Sequence, residues 1–143
     1  MTIQLDLKGA AAAVQGRLVG DNAAFIGVST DTRSVRAGEL FIALRGVKYD
    51  AHEFLATARE RGAVAALVAE DALSQPAVAA IAASGLPLLA VADTRLALGA
   101  LAAAWRARFD LPLLAVTGSN GKTTSKEMLA SILAAALGDA VLA

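Results

Sequence analysis

The chain has 143 residues, enough for about one domain, and no cysteine, so a disulfide framework and thiol chemistry are excluded. Thirteen Lys and Arg balance thirteen Asp and Glu, which leaves no basic surplus of the kind that marks a nucleic-acid-binding face. Hydrophobic residues reach 57%, above an average globular domain and largely through alanine, yet the longest uncharged stretch, 72–92, is broken by Ser74, Gln75, Pro76, Ser84, Gly85 and Pro87, so no membrane insertion is expected.

The first residues, Met1-Thr2-Ile3-Gln4-Leu5-Asp6, lack the basic start and apolar core of a signal peptide, and a cytoplasmic protein is expected. Leu7, Ala11 and Val14 have helical spacing, with Gly16 placed to end the helix. The runs 25–28 and 40–44 read as strands. Between them Ser29-Thr30-Asp31-Thr32-Arg33 is polar and aperiodic. From His52 onward helix and strand patterns alternate. Phe54, Leu55 and Ala58 predict a helix ending at Gly62, 63–68 a strand, 75–83 a helix and 87–91 a strand. Such alternation predicts parallel strands joined by crossover helices, an α/β fold.

Asp93-Thr94 reads as a helix N-cap. Leu98, Leu101, Trp105 and Phe109 then share one apolar face, with Arg106 and Arg108 off it. Trp105 is expected in the core and the helix is expected to bridge to a second unit. The run 111–116 is nearly all apolar, as for a parallel strand buried on both faces. Met128, Leu129, Ile132, Leu133, Ala136 and Leu137 mark another helix, and 140–143 reads as the start of a further strand. There is no internal repeat.

Thr117-Gly118-Ser119-Asn120-Gly121-Lys122-Thr123-Thr124 lies between that expected strand and helix. Strand, glycine turn with Lys-Thr, and helix is the geometry that holds nucleotide phosphates. Glycines let the backbone curl so that several N–H groups face an anion. Lys122 would add charge at the outer phosphates, the Thr123 hydroxyl would ligate Mg2+, and the helix dipole adds to the same field. The strict G-x-x-x-x-G-K-[ST] pattern fails, because Val116 stands where its first glycine would be. What remains is the shorter G-x-x-G-K-T, given weight by its context. An ordinary glycine turn with a solvated Lys122 is the competing reading.

Upstream, Ser29 and Thr30 offer hydroxyls to a base, ribose or phosphate. Asp31 and Arg33, read alone, are first a local turn and ion pair. Arg45, after a strand and before Gly46, is either a solvated strand-end arginine or a guanidinium that meets a diphosphate. His52, the only histidine, reads as a cap or packing residue.

The loop Ala115-Val116-Thr117-Gly118-Ser119-Asn120-Gly121-Lys122-Thr123-Thr124 resembles the ATP signature of the Mur ligase family, short glycine spacing included. Ser29 to Arg33, Gly38-Glu39-Leu40-Phe41-Ile42-Ala43-Leu44-Arg45-Gly46, and Asp50-Ala51-His52-Glu53-Phe54 are similar to that family's N-terminal, UDP-sugar-binding domain. This upstream pattern is shared by the members that add the third amino acid and the terminal dipeptide. Ser125-Lys126-Glu127-Met128 and Asp93-Thr94-Arg95-Leu96-Ala97-Leu98-Gly99 look closer to the dipeptide-adding member. Ala37 replaces the family's usual proline, and Ala51 its usual glycine, which puts the shape of the 50–52 turn in question.

The resemblance implies ATP-dependent amide-bond formation in peptidoglycan precursor synthesis, with ATP and Mg2+ as cofactors and UDP-N-acetylmuramoyl peptide and D-alanyl-D-alanine as partners. It implies ligand contacts from Ser29, Thr30, Asp31, Arg33, Arg45, Gly46, Asp50 and His52, nucleotide contacts from 117–124, and a monomeric parent enzyme. The expected domains are 1–93, a small UDP-sugar-binding α/β domain, and 94–143, the first strand, phosphate loop and helix of a Rossmann-like ATP-binding domain. That second domain needs more strands and helices than the chain holds, so the chain is expected to be an inactive piece cut inside it. The alternatives are the sister ligase, a non-catalytic UDP-sugar-binding module, and another phosphate-loop enzyme such as a kinase or a folate-type polyglutamate ligase.

Overall fold

A computed structural model describes residues 5–138 and Val141. The chain divides into two compact units, Met1–Phe109 and Asp110–Ala143. The division falls beyond α4 (Thr94–Arg106) rather than before it, where the sequence had placed it. Ala97 and Leu101 of α4 are buried in the first unit's core beside Leu7 and Ala10 of α1 (Leu7–Val14), so the helix belongs to that unit.

The first unit is built on a five-stranded sheet. Its strands are β2 (Arg17–Val19), β4 (Gly27–Ser29), β5 (Glu39–Ile42), β6 (Ala65–Ala69) and β7 (Leu88–Val91), in the order β2-β7-β6-β5-β4. β4, β5, β6 and β7 run parallel, and β2 is antiparallel to β7. A separate pair joins β1 (Leu5–Asp6) to β3 (Ala24–Phe25).

Side chains alternate across the sheet with the strand period of two. Leu40, Ile42, Ala65, Leu67, Leu89 and Val91 meet α1 and α4 on one face. Phe41, Ala66, Val68, Leu88 and Ala90 face the other way. They meet Leu55 and Ala58 of α2 (Leu55–Glu60) and Val78 and Ile81 of α3 (Pro76–Ala83). Helices on both faces of a mostly parallel sheet are the α/β architecture expected from the alternating patterns. β6 and β7 are buried along their whole length.

The caps follow the sequence closely. Asp93 accepts the Arg95 and Leu96 backbone N–H groups at 2.8 and 2.9 Å. α1 ends at Gln15, whose φ of 53 makes it the only non-glycine with positive φ among the described residues. Gly16 serves a different end. A Cβ there would lie 2.9 Å from Leu89 and Val91 side-chain carbons, so its bareness lets the chain turn back beside β7.

Three expected elements differ. The run 25–28 splits at Ile26, because Phe25 pairs with Leu5 whereas Gly27 to Ser29 pair with β5. Trp105 is half-buried rather than core, with Phe109 edge-on at 5.3 Å and the Arg108 guanidinium 5.3 Å over its ring. In the second unit, 111–117 forms no strand. Leu113 and Leu114 are 71% and 63% exposed, and a strand is made by its neighbours as much as by its own residues. None lies beside it among the described residues of its unit. α5 (Lys122–Leu137) forms as expected and buries none of its residues. The strand expected at 140–143 lies outside the described residues except for Val141.

Candidate functional site

In open α/β sheets, ligands bind outside the carboxyl ends of the strands. Two clefts lie at that edge of the first unit. One, of about 710 Å³, is lined by Leu44, Arg45, Gly46 and Val47 after β5, by Ala69 at the end of β6, and by Ala92, Asp93, Thr94 and Arg95 where β7 passes into α4. The other, of about 610 Å³, is lined by Thr30, Asp31, Thr32 and Arg33 after β4, with Phe41, Leu44, Gly46, Tyr49, Ala51 and Phe54. Leu44 and Gly46 line both.

The loop after β4 is fastened internally. Ser29 is buried, and its hydroxyl donates to the Asp31 carbonyl at 3.1 Å. Asp31 accepts the Arg33 backbone N–H at 2.9 Å and pairs with its guanidinium through Nη2 at 2.6 Å and Nε at 3.0 Å. The Arg33 side chain, through these bonds, holds the Asp31 carboxyl down at about 2. The local turn and ion pair read from these residue types is therefore what forms. It forms on the cleft wall, where Thr30, Asp31 and Arg33 still face the open space.

Arg45 and Asp50 close a tight hairpin as an isolated antiparallel bridge, within which Gly46 N–H donates to the Tyr49 carbonyl at 2.8 Å. Arg45 Nε donates to Asp50 at 3.3 Å, and its Nη1 and Nη2 donate to the two Asp71 oxygens at 3.0 and 3.1 Å. Asp50 caps the 3₁₀ turn Ala51–Phe54 by accepting the His52 backbone N–H at 3.0 Å. His52 is fully buried. Its Nε2 accepts the Ala69 backbone N–H at 2.9 Å, so that nitrogen carries no proton and the Nδ1–H is the group that meets Asp50. Partial burial pushes the Asp50 carboxyl up, but the His52 backbone and ring bonds and the Arg45 charge outweigh it and leave it below the ordinary range.

Both ring nitrogens of His52 are thus engaged inside the protein. The cap-or-packing reading describes its position: it braces the cleft from behind and presents no atom to it. Ala51, where the family has glycine, enters the 3₁₀ turn without positive φ. Its side chain needs no strained backbone there.

The expected phosphate loop, 117–124, stands in the second unit. Gly118 and Gly121 have φ of 144 and 74, conformations that a side chain would strain. α5 begins at Lys122 with Gly121 as its N-cap, which makes no side-chain cap bond. Lys122 Nζ lies on the Gly118 and Ser119 carbonyls, the latter at 3.4 Å. A helix N-terminus with no side-chain cap bond, two glycines in glycine-only conformations and a lysine over the turn fit a phosphate chain. Among the described residues no cluster of three or more His, Cys, Asp or Glu could hold a metal. A magnesium ion here would take the Thr123 hydroxyl as one of its oxygen ligands.

Three residues of the site lie outside those the sequence picks out: Asp93 and Arg95, which line the first cleft, and Asp71, which pairs with Arg45. The sequence marks Asp93 as a cap and places Asp93 and Arg95 only within the stretch that resembles the dipeptide-adding member; it gives Asp71 no role. The signal for Asp93 and Arg95 was present, since both sit where a predicted parallel strand ends. The Asp71–Arg45 pairing spans 26 residues, and no local pattern announces it.

The Mur ligase family catalytic-domain model matches residues 24–106, and the chain belongs to the Mur ligase family. It is 43% identical over 121 residues to the UDP-N-acetylmuramoyl-tripeptide--D-alanyl-D-alanine ligase of Haemophilus influenzae, covering 84% of this chain and 24% of that protein. It is 41% identical over 112 residues to the UDP-N-acetylmuramoyl-L-alanyl-D-glutamate--2,6-diaminopimelate ligase of Geobacter sulfurreducens, covering 77% and 20%. Among solved structures it matches MurF from Acinetobacter baumannii with a TM-score of 0.78 at 35% identity, over 94% of this chain and 28% of that one. It also matches MurF ligase from Thermotoga maritima in complex with ADP, with a TM-score of 0.58 at 28% identity, over 74% and 22%. The chain spans about a quarter of the length of the relatives it matches. No described helix is long and apolar enough to cross a membrane.

Proposed function

We propose that this chain supplies the nucleotide-sugar-binding clefts and the ATP phosphate loop of a cytoplasmic, monomeric ligase that joins D-alanyl-D-alanine to UDP-N-acetylmuramoyl tripeptide. What carries the reading is that Thr30, Asp31, Arg33, Arg45 and Gly46 line two adjoining clefts at the carboxyl edge of one parallel sheet. Two arginines, Arg45 and Arg95, are among the residues lining the first cleft, which suits the diphosphate of a UDP-sugar. Hydroxyls and aromatic rings line the second, which suits a uridine. Ser29 and Asp31 fix the loop, and Asp50 and His52 fix Arg45.

The ADP-bound relative supports ATP binding, for which 117–124 are the candidate residues. In that role Gly118 to Gly121 would supply backbone donors, Lys122 would balance charge at the β- and γ-phosphates, and Thr123 would hold Mg2+, which would neutralise developing phosphate charge. The tripeptide carboxylate attacks the γ-phosphorus and releases ADP. The amine of D-alanyl-D-alanine then attacks the acyl phosphate, forming the amide and releasing phosphate. The chain spans about a quarter of its relatives' length, and by itself it is expected to be inactive.

The Geobacter relative favours a second reading, the sister ligase that adds a single diamino acid. A polypeptide of the relatives' full length carrying this sequence decides between them. Phosphate release from ATP should require both the nucleotide tripeptide and D-alanyl-D-alanine. Turnover with nucleotide dipeptide and meso-diaminopimelate or lysine, and none with D-alanyl-D-alanine, would establish the sister activity instead.

A further inference from the structure

The Arg45 guanidinium is held by two carboxylates that differ in how firmly they are themselves held. Asp50 meets Nε and is tied from behind by the backbone and ring of buried His52; its side chain is only 25% exposed. Asp71 occupies the forked end, one oxygen on each Nη. Its side chain is 70% exposed, and it sits on the short 3₁₀ turn Glu70–Ser74 that follows β6. That turn is closed through the Asp71 backbone carbonyl, which accepts the Ser74 hydroxyl at 3.3 Å, so the carboxylate can swing away without undoing it.

The fork of an arginine accepts a carboxylate and a phosphate with the same two-pronged geometry. Exposed ion pairs are weak, and a diphosphate brings more negative charge than the carboxylate it would replace. With Asp50 and Asp71 both in place, Arg45 presents no net positive charge to the 710 Å³ cleft it lines. Once Asp71 leaves, the fork is unpaired while Asp50 still holds Nε.

We propose that Asp71 is a place-holder for the ligand's diphosphate on Arg45. It keeps the fork aligned while the cleft is empty, competes with the incoming anion, and so favours ligands with two or more negative charges over monoanions. This rests on the reading of Arg45 as the diphosphate contact.

Titration calorimetry of the 143-residue chain with uridine diphosphate tests it. Asp71→Asn should tighten binding about two- to fivefold, the span of one exposed ion pair. Glu70→Gln makes the same charge change one residue away, but its partner is Arg17, and it should leave the affinity nearly unchanged. In the Arg45→Gln background, Asp71→Asn should bring no gain. Weaker or unchanged binding in Asp71→Asn, while Arg45→Gln still impairs binding, overturns the place-holder alone. An equal gain in Glu70→Gln also overturns it, in favour of a general field effect. Binding that ignores Arg45→Gln, or no binding by the parent chain, overturns the diphosphate reading of Arg45 and the place-holder with it.

Discussion

His52 Nε2 accepts the Ala69 backbone N–H at 2.9 Å, and that bond ties the turn beside the hairpin to the end of β6. The residue is fully buried, so losing its ring leaves a buried amide without its acceptor. His52→Ala should destabilise the chain by about 2–4 kcal/mol, from the cavity and the unsatisfied group together. Urea unfolding followed by circular dichroism measures this. A loss below about 0.5 kcal/mol would mean the bond does not hold the turn.

Gly62 and Gly85 separate two costs of a side chain. Both have positive φ, 104 and 89. A Cβ on Gly62 would lie 2.7 Å from the Ala37 Cα, whereas Gly85 has nothing within 4 Å. Gly85→Ala should cost about 1–2 kcal/mol from backbone conformation alone, and Gly62→Ala should cost more by about 1 kcal/mol or above because backbone must move. Equal losses in parallel denaturant titrations would contradict the close approach.

Asp31 titrates at about 2 in the folded chain against an ordinary 3.8, held down by Arg33. A depressed folded value means its contribution is present above the unfolded value and is lost as pH falls from about 4 through about 2. The effect on stability is small, because the pair faces solvent. The titration midpoint itself is the better readout. Carboxyl NMR should place Asp31 near 2, and Arg33→Ala should return it toward 3.8. A midpoint unchanged by Arg33→Ala would show that the ion pair does not persist in solution.

The parallel core of the first unit was legible because its strands and helices carry their own periodicity. Leu40 to Ala43 alternate between two faces, and Asp93 announces its helix. β2 escaped notice because Arg17-Leu18-Val19 is three residues long and owes its place to the bareness of Gly16 and the edge of β7. The run 111–116 misled for the opposite reason: its residues are right for a buried strand, but strand pairing is a property of neighbours. At the site, Thr30, Asp31, Arg33, Arg45 and Gly46, among the residues that the family resemblance picks out, line clefts at one sheet edge. Their surroundings are set by tertiary bonds no spacing shows, with His52 buried behind the wall and Arg45 met by Asp71 from the turn after β6.

Lys122 is exposed and lies on loop carbonyls rather than in a core. In a polypeptide of the relatives' full length, Lys122→Ala should cut turnover about a hundredfold or more, as for other groups aimed at developing charge. The melting temperature should stay within about a degree, since no packing is lost. Near-normal phosphate release from ATP would mean that the loop is a structural turn.

The most direct measurement is a backbone NMR titration of the 143-residue chain with UDP-N-acetylmuramoyl tripeptide. The account predicts that shifts concentrate at Thr30 to Arg33, at Arg45 and Gly46, and at Asp93 to Arg95, the residues lining the two clefts, while 117–124 respond to ATP and not to the nucleotide sugar. No shift at the clefts with saturating nucleotide tripeptide, or shifts confined to the phosphate loop, would contradict the assignment of the carboxyl edge of the sheet as the nucleotide-sugar site.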